Sequence, residues 1–584
     1  MNTDNWPRRG RWALLLVLFC VAGWWAISGC DREEKTEDDE EVSETESAAE
    51  QDGDETASPY SELDGVEPIE ATDVGPEGDG IYFLSGLKGY TEPCGCTVDV
   101  LLGGIDRITA FVKDARQLHP TAYFVDAGDW LFESATIPDH LEPQERAKAE
   151  VLAAAYRRMG ASFSVPGDRD LALGVEFYRS MMNEAQMEPI GANLTLDGET
   201  LAPTHTVEMG GGTVLFVGVG DPENYEDIDG VEATDEVAAV AEAIDGHDAD
   251  AVVVVYQGSP LRAEAIVEEF EGVDFVVVGH DPRLDDDARQ FGSTYLLETY
   301  DQGRYVGRLK LYGLGSDGDF VDGRAGVREQ RETIDRQIDQ VRRDLRLLEV
   351  RLAGDESPMA ERLEDRLADL QARRGDLMRD GIEILPERAA FLFEPIPMEP
   401  GYRLDDEIYE RREDYNRSLA DLNADIDRDV IEVRPGEPTY VGTAECATCH
   451  VEAHQFWEET AHSSAVATLE ERHKDYDQNC IGCHVVGWEK PGGSVLGKLI
   501  YEDELNGEVF TKDLREVGCE SCHGAGSKHR LQPLDEQGQP QHIDRRPDEN
   551  NCMQCHVPDH SPTFDFDVYV NQITGEGHEY SGGQ

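Results

Sequence analysis

One five-residue pattern occurs four times in the last third of the chain. The copies are Cys446-Ala-Thr-Cys449-His450, Cys480-Ile-Gly-Cys483-His484, Cys519-Glu-Ser-Cys522-His523 and Cys552-Met-Gln-Cys555-His556. A Cys-x-x-Cys-His run is the attachment site for c-type haem: its two thiols bind the porphyrin covalently, and its His is the proximal ligand of the iron. The repeated pattern therefore predicts four covalently bound haem c groups in this part of the chain.

Zinc is the alternative to haem at these motifs, because paired Cys-x-x-Cys units also build tetrahedral zinc sites. A zinc site does not require a His directly after every second Cys, yet all four copies have one. Haem is attached to such motifs outside the cytoplasm, and the N-terminus of this chain predicts export. Both observations favour haem.

Residues 1–29 predict a lipoprotein signal peptide. A basic segment is followed by an apolar run that ends Ile27-Ser28-Gly29-Cys30. This ending resembles the bacterial lipobox, and the resemblance implies cleavage before Cys30 and a lipid on its thiol. An uncleaved membrane anchor is the alternative, since the run is just long enough to span a bilayer. Either interpretation predicts a chain on the periplasmic or cell-surface side, anchored to a bacterial membrane.

The composition is strongly acidic. The 584 residues include 123 Asp and Glu against 51 Lys and Arg, a net charge of -72. Such a surface repels nucleic acid, so we expect no nucleic acid partner, and it favours basic redox partner proteins. Solubility in concentrated salt is an equally open reason for the charge. Residues 30–76 contain few large apolar side chains and predict an acidic disordered linker.

Residues 77–324 predict an α/β domain, because short apolar runs alternate with helical patterns. Several runs are apolar throughout, as in strands covered on both faces. The predicted strands are 81–84, 122–126, 213–218, 251–256, 274–279, 295–298 and 305–312, and helices are predicted at 105–118 and 147–159.

Short motifs in this domain resemble the calcineurin-like metallophosphoesterases, in particular the 5'-nucleotidase branch. They are Gly86-Leu87-Lys88-Gly89-Tyr90, Gly103-Gly104, Val125-Asp126-Ala127-Gly128-Asp129, Gly167-Asp168-Arg169-Asp170, Gly191-Ala192-Asn193-Leu194 and Gly279-His280-Asp281-Pro282. The resemblance implies an α/β sandwich with two metal ions at the strand ends, where they activate water and polarise phosphate.

The chain departs from that family at the metal-binding positions. Lys88 stands where the family has a His, Arg169 stands where it has the catalytic His, and Pro282 replaces the last His of its final motif. The side chains that remain as ligands for one divalent ion, Mg2+, Mn2+ or Ca2+, are Asp129, Asp168, Gln257 and His280. We therefore expect the two-metal mechanism to be lost and the domain to act as a scaffold.

Cys94 and Cys96 lie directly after the first altered motif. Two thiols separated by one Gly form a redox-active or metal-binding pair, or alternatively a structural disulfide of an oxidising compartment. The sequence leaves both open.

Residues 325–387 predict an inserted helical hairpin. Apolar residues from Ile334 to Leu352 recur at heptad spacing, a break follows, and a second seam begins at Leu363. The hairpin is either an intramolecular strut or an arm for a homodimer. Residues 388–436 then predict a closing strand at 389–398, a helix at 405–426 and a linker.

Residues 437–584 resemble the cytochrome c-554 family of small multihaem electron carriers. The resemblance rests on Tyr440-Val441-Gly442, Ala461-His462-Ser463, Gly518-Cys519-Glu520-Ser521-Cys522-His523-Gly524 and His560-Ser561-Pro562. It implies a mainly α domain with closely packed haems. By resemblance and position, the candidates for the second iron ligands among the seven other His of this region are His462, His473, His529 and His560.

The sequence therefore predicts a multidomain chain whose most favoured function is electron transfer by a membrane-tethered tetrahaem cytochrome. One alternative is a redox enzyme, in which a five-coordinate haem or the Cys94 and Cys96 pair acts on a small nitrogen or sulfur species. The other is a phosphoesterase or nucleotidase with an altered metal site.

Overall fold

A computed structural model describes residues 80–94, 101–285, 287–316, 318–352, 358–385, 388–424, 428–536, 541–557, 560–561 and 564–575. The predicted signal peptide with Cys30, the acidic linker and Cys96 lie outside these residues. All described residues belong to one compact unit. Among their helices, none has the length and apolar character needed to cross a membrane.

Residues 80–424, which we call the α/β region, form two large sheets and several helices. The strands are β1 (Gly80–Leu84), β2 (Pro93–Cys94), β3 (Leu102–Gly103), β4 (Tyr123–Asp126), β5 (Phe163–Ser164), β6 (Glu188–Pro189), β7 (Leu194–Leu196), β8 (Glu199–Thr200), β9 (Thr204–Met209), β10 (Gly212–Gly220), β11 (Val231–Ala233), β12 (Ala251–Gln257), β13 (Phe275–Val278), β14 (Arg289–Phe291), β15 (Thr294–Leu297), β16 (Tyr305–Tyr312), β17 (Val321–Asp322) and β18 (Ala390–Pro397). The helices are α1 (Ile105–Leu118), α2 (Glu142–Met159), α3 (Val175–Ala185), α4 (Glu236–Ile244), α5 (Pro260–Ile266), α6 (Arg328–Leu352), α7 (Pro358–Asp380) and α8 (Asp406–Leu422).

The two large sheets pack face to face. Their strand orders are β17-β18-β16-β1-β4-β5-β6 and β14-β15-β13-β12-β10-β9. Successive side chains of a strand point to opposite faces, so Val253 and Val255 of β12 enter the core between the sheets. Val252 and Val254 enter a second core on the other face, where α4 and α5 contribute Val240 and Ala263. Aromatic rings join the sheets, with Phe275 and Phe391 5.0 Å apart. The predicted α/β sandwich is confirmed.

The predicted hairpin is also present. Helices α6 and α7 bury the expected seam, in which Ile338, Val341 and Leu345 pack against Leu370. Strand β18 follows the hairpin and pairs antiparallel with β16 in the first sheet, so the hairpin interrupts that sheet domain in sequence, as expected.

Residues 428–575, which we call the C-terminal region, are mainly helical, as predicted. The helices are short: α9 (Thr443–Ala447), α10 (Val451–Glu458), α11 (Ala465–Glu470), α12 (Gln478–Ile481), α13 (Cys519–His523), α14 (Ser527–Leu531), α15 (Glu549–Cys552) and α16 (Phe566–Ile573). The hairpin helix α6 contacts α16, so the insertion touches the C-terminal region of the same chain. Homodimer formation through the hairpin stays a prediction.

One element of the C-terminal region was not predicted. Strands β19 (Ile500–Leu505) and β20 (Glu508–Asp513) form an antiparallel hairpin. Its two-residue turn is Asn506-Gly507, and both residues have positive φ angles, 55° and 85°. Asn-Gly is the pair that such tight hairpin turns prefer, so the signal was present in the sequence.

Candidate functional site

The altered metal site of the α/β region lies where parallel strands end. Strands β1, β4 and β5 are mutually parallel neighbours, as are β12, β13 and β15. Because the carboxyl ends of parallel strands meet at one edge, the loops that follow them carry side chains into one crevice. The side chains gathered there are Lys88, Asp129, Asp168, Arg169, His280, Asp281 and Asp301.

Asp129 is fully buried at the centre of this group. One of its carboxylate oxygens lies 2.7 Å from Nδ1 of His280 and accepts a hydrogen bond of 2.8 Å from Arg169. The same His280 nitrogen lies 3.4 Å from the Asp168 carboxylate. Asp129, Asp168 and His280 therefore offer ligand atoms within 4.8 Å of one another, as the sequence predicted for three of the four candidate ligands.

The fourth candidate, Gln257, makes a different contact. Its amide nitrogen donates to the carbonyl of Ala127 at 3.0 Å. Its side-chain oxygen is buried and has no hydrogen-bond partner in the described part of the chain. The metal role predicted for Gln257 stays a prediction.

Side chains of the protein supply the positive charges of this cluster. Lys88 contacts Asp281 at 2.6 Å and Asp301 at 2.5 Å, and Arg169 also contacts Asp281 at 3.0 Å. Four carboxylates thus face two permanent cations and His280. Asp281 and Asp301 were not predicted as members. They follow β13 and β15, and Asp281 also lies directly after His280 in a motif of the family resemblance.

His280 supplies a third positive charge. Burial opposes its protonation, but the hydrogen bonds to Asp129 and Asp168 outweigh burial and raise the pKa of His280 to about 10. A protonated imidazole is not a metal ligand, because metal binding requires the neutral form. Lys88, Arg169 and His280 therefore offset three of the four carboxylate charges, and with His280 protonated these residues fit a divalent ion poorly.

The loop that carries Asp129 is held by a neighbouring carboxylate. The buried Asp170 accepts hydrogen bonds from the backbone N–H groups of Asp129, Trp130 and Leu131 at 2.8–2.9 Å. A Cβ at Gly167 would lie 2.0 Å from the Asp129 carboxylate, so glycine is required there. The altered site is a rigid, internally paired cluster.

In the C-terminal region, the four Cys-x-x-Cys-His motifs lie close together in pairs. The thiols of Cys446 and Cys519 lie beside each other, which brings the first and third motifs together. The thiols of Cys483 and Cys555 join the second and fourth in the same way. Cys522 of the third motif lies near Cys552 and Cys555 of the fourth motif. The motifs are therefore arranged in the spatial order first, third, fourth, second.

Two of the proximal histidines face a second imidazole. The ring centres of His450 and His529 are 6.3 Å apart, and the same distance separates His462 and His556. A nitrogen ligand lies about 2 Å from its metal ion, so two imidazoles on opposite sides of one ion have ring centres roughly 6 Å apart. Both pairs have the separation that an iron between them requires.

Hydrogen bonds define which ring nitrogen faces the metal position. Nδ1 of His484 lies 2.5 Å from the carbonyl of Ala465, Nδ1 of His523 lies 2.6 Å from that of Asp544, and Nδ1 of His529 lies 2.9 Å from that of Gln541. A carbonyl only accepts, so Nδ1 must carry the proton and Nε2 is the nitrogen for a metal. Burial also lowers the pKa of His462 to about 4, which keeps it in the neutral, ligating form.

The other two candidate second ligands lie elsewhere. The His560 ring lies 6.3 Å from that of Tyr90 in the α/β region, and His473 is exposed, with a positive φ of 58°. Their assignment as iron ligands stays a prediction.

Polar contacts join the second Cys-x-x-Cys-His motif to the α/β region. Asp477 caps the start of α12, which carries Cys480, and accepts a hydrogen bond from Gln144 of α2. Lys474 lies 3.2 Å from the Glu92 carboxylate. Burial opposes ionisation of Glu92, but Lys474 and Arg412 outweigh it and lower its pKa to about 2. Sequence reasoning missed this contact, which joins residues far apart in the chain.

The C-terminal region matches the family model described as cytochrome c554 and c-prime, over residues 445–524. It is also similar to cytochrome c-554 of Nitrosomonas europaea, with 33% identity over an alignment of 106 residues; the match covers 16% of this chain and 40% of the relative. The predicted resemblance is confirmed. The C-terminal region is therefore similar to c-type cytochromes, and its four Cys-x-x-Cys-His motifs are of the kind that binds haem c covalently.

Solved structures similar to the chain include phosphoesterases. A 5'-nucleotidase precursor from Thermus thermophilus aligns over 78% of this chain and 92% of its own, with 13% identity and a TM-score of 0.41. The sulfate thiohydrolase SoxB of the same organism aligns over 41% of this chain and 55% of its own, with 18% identity and a TM-score of 0.37.

Proposed function

We propose that this chain is a membrane-tethered, extracytoplasmic tetrahaem cytochrome c that transfers electrons, and that its phosphoesterase-like domain is an inactive scaffold. The observation that carries the proposal is the pair of facing imidazoles, His450 with His529 and His462 with His556, each 6.3 Å apart. Two imidazoles on one iron leave no open position for a substrate, which suits electron transfer rather than catalysis.

The remaining contacts of the motifs support the same function. The hydrogen bonds from Nδ1 of His484 and His523 orient Nε2 towards the metal position, and such bonds fix a ligating His in its ring orientation. When bound, the haems supply one-electron redox chemistry. The thiol contacts favour a path from the first motif through the third and fourth to the second, because neighbouring motifs hold neighbouring haems.

The internal ion pairs of the altered metal site support the scaffold part of the proposal. The two-metal mechanism needs open ligands for the ions that activate water. Here Arg169 and His280 bind Asp129, and Lys88 binds Asp281 and Asp301. These cations take the place of metal charge and supply no activated water.

The decisive experiment is a haem count with spin states on purified, exported protein. We expect four haems per chain by pyridine haemochrome assay and mass spectrometry, and low-spin spectra for the two haems between the facing imidazoles. Fewer than four haems, or zinc in the motifs, would overturn the proposal. A high-spin signal that responds to nitrite, hydroxylamine or CO would instead favour the redox-enzyme alternative.

The membrane tether has its own experiment. Replacing Cys30 with Ser is expected to release the mature chain from the membrane fraction while haem content stays the same. A Cys30→Ser chain that stays membrane-bound after signal cleavage would contradict lipid anchoring. We further propose basic redox partners, since the net charge is -72, and their binding should weaken as salt screens the charges.

A further inference from the structure

Glu520 lies inside the third haem motif, and its side chain is only 3% exposed. Both carboxylate oxygens accept backbone hydrogen bonds. Val441 N lies 3.0 Å from each oxygen, Gly442 N lies 2.7 Å from one, and Gly526 N lies 2.6 Å from the other. Each oxygen therefore receives two N–H groups, and a proton on either oxygen would point at a donor. Burial raises the pKa of Glu520, but the N–H donors of Gly526, Gly442 and Val441 favour the ionised carboxylate and oppose that rise.

The three donors belong to segments that surround the first haem motif. Val441 and Gly442 directly precede α9, which carries Cys446. Gly526 directly precedes α14, which carries His529, the imidazole that faces His450. Glu520 thus connects its own motif with both sides of the first one.

The buried charge of Glu520 has no cation bonded to it among the described contacts. Lys512 is the nearby buried cation, and its ammonium group binds Asp503 at 2.5 Å and Thr439 Oγ1 at 2.9 Å. Glu520 lies next to the adjoining thiols of Cys446 and Cys519. A buried anion there opposes the addition of an electron to a haem at either motif, because a buried charge is weakly screened.

We propose that Glu520 is a positioning residue that aligns the two ligands of the first haem, and that its charge lowers the reduction potentials of the first and third haems. The inference rests on the proposed tetrahaem function. It goes beyond that function by assigning one side chain to the assembly and the energetics of a particular haem pair.

The first test is a redox titration of the holoprotein carrying Glu520→Gln, which removes the charge with little change of shape. We expect four haems, with the potentials of two of them shifted upward and the other two unchanged. The matched control is Glu504→Gln, which removes an exposed carboxylate of β19 in the same region and should shift none, since solvent screens exposed charges. A four-haem Glu520→Gln protein with the potentials of the control would overturn the charge assignment.

The second test is Glu520→Asp, which keeps the charge but shortens its reach by one methylene. We expect its carboxylate to lose the N–H groups of Gly442 and Gly526, so that one haem in four loses its second imidazole and becomes high-spin, as in His529→Ala. A Glu520→Asp protein with the spin state of the wild type would overturn the positioning role, and this test remains available if Glu520→Gln does not load haem. Fewer than four haems in the wild type would instead refute the proposed function itself.

Discussion

Replacing Arg169 with Met tests whether the protein's own cations stabilise the altered metal site. The Arg169 side chain is 14% exposed and Asp129 is fully buried, so the change leaves a buried carboxylate with one cation fewer. Removing one partner of a buried pair costs about 3–5 kcal/mol. In the variant, Asp129 still has the protonated His280 at 2.7 Å, and Asp281 still has Lys88 at 2.6 Å. We therefore expect the free energy of unfolding to fall by a smaller amount, about 2–3 kcal/mol.

Urea unfolding of the full-length holoprotein measures this loss. Trp130 is fully buried and directly follows Asp129, so its fluorescence changes when the cluster unfolds. Trp457 and Trp488 lie in the C-terminal region, and Soret absorbance follows the unfolding of that region separately. The control is Arg157→Met, which removes a pair with Glu184 whose side chains are 31% and 48% exposed and should cost less than about 0.5 kcal/mol. An Arg169→Met protein as stable as this control would refute the reasoning, because the cluster would then not depend on its internal cations.

Three further predictions concern the same two sites. Nucleotide hydrolysis with added Mn2+ should be no faster for the wild type than for Asp129→Ala, and robust turnover abolished by this substitution would contradict the scaffold role. His462→Ala should convert one low-spin haem to high-spin while the haem count by mass spectrometry stays the same; an unchanged spectrum would remove His462 as a ligand. His280 has a pKa raised to about 10 when folded, against about 6.5 when unfolded, so its contribution to stability is complete below about pH 6.5 and is lost as the pH rises towards 10. The urea midpoint should therefore fall from pH 7 to pH 9.5, and it should fall less in His280→Gln; an equal fall in both would refute the assignment.

The sheets of the α/β region could be predicted from sequence because their strands are covered on both faces. The run at 251–256 is apolar throughout, and the structure extends it by one residue as β12. Strands of two residues, such as β5 and β6, were missed because so short a segment has no period to detect. The hairpin of β19 and β20 was missed although Asn506-Gly507 marks its turn.

Part of the membership of the candidate sites was predictable from the sequence, but the pairing of their residues was not. Asp129 and His280 follow predicted strands and Asp168 follows β5, which was not predicted; a shared sheet edge brings the three together. The pairing of Asp129 with Arg169, and of Lys88 with Asp281, depends on loop conformation. Lys88 and Asp129 have positive φ angles of 54° and 55°, which non-glycine residues adopt only rarely. The sequence alone does not predict these positive φ angles at non-glycine residues.

The second iron ligands illustrate the same limit at longer range. His462 and His529 were chosen by resemblance and position, but the partner of each depends on packing between helices that are far apart in sequence. His462 faces His556 of the last motif, and His529 faces His450 of the first. Nothing local to either residue encodes that choice, because the contacts that fix it are made by segments elsewhere in the region.

One short segment links the altered metal site to the C-terminal region. Lys88 lies in the ion-pair cluster, Tyr90 lies beside His560, and Glu92 binds Lys474 next to the second motif. The C-terminal region has only small apolar clusters of its own among the described residues, so it gains order from the surface on which it rests. A metal site that loses its ions would leave buried carboxylates unpaired and this segment loosely held. In the described structure the cations Lys88 and Arg169 pair with these carboxylates, so the segment is held in place without a bound ion.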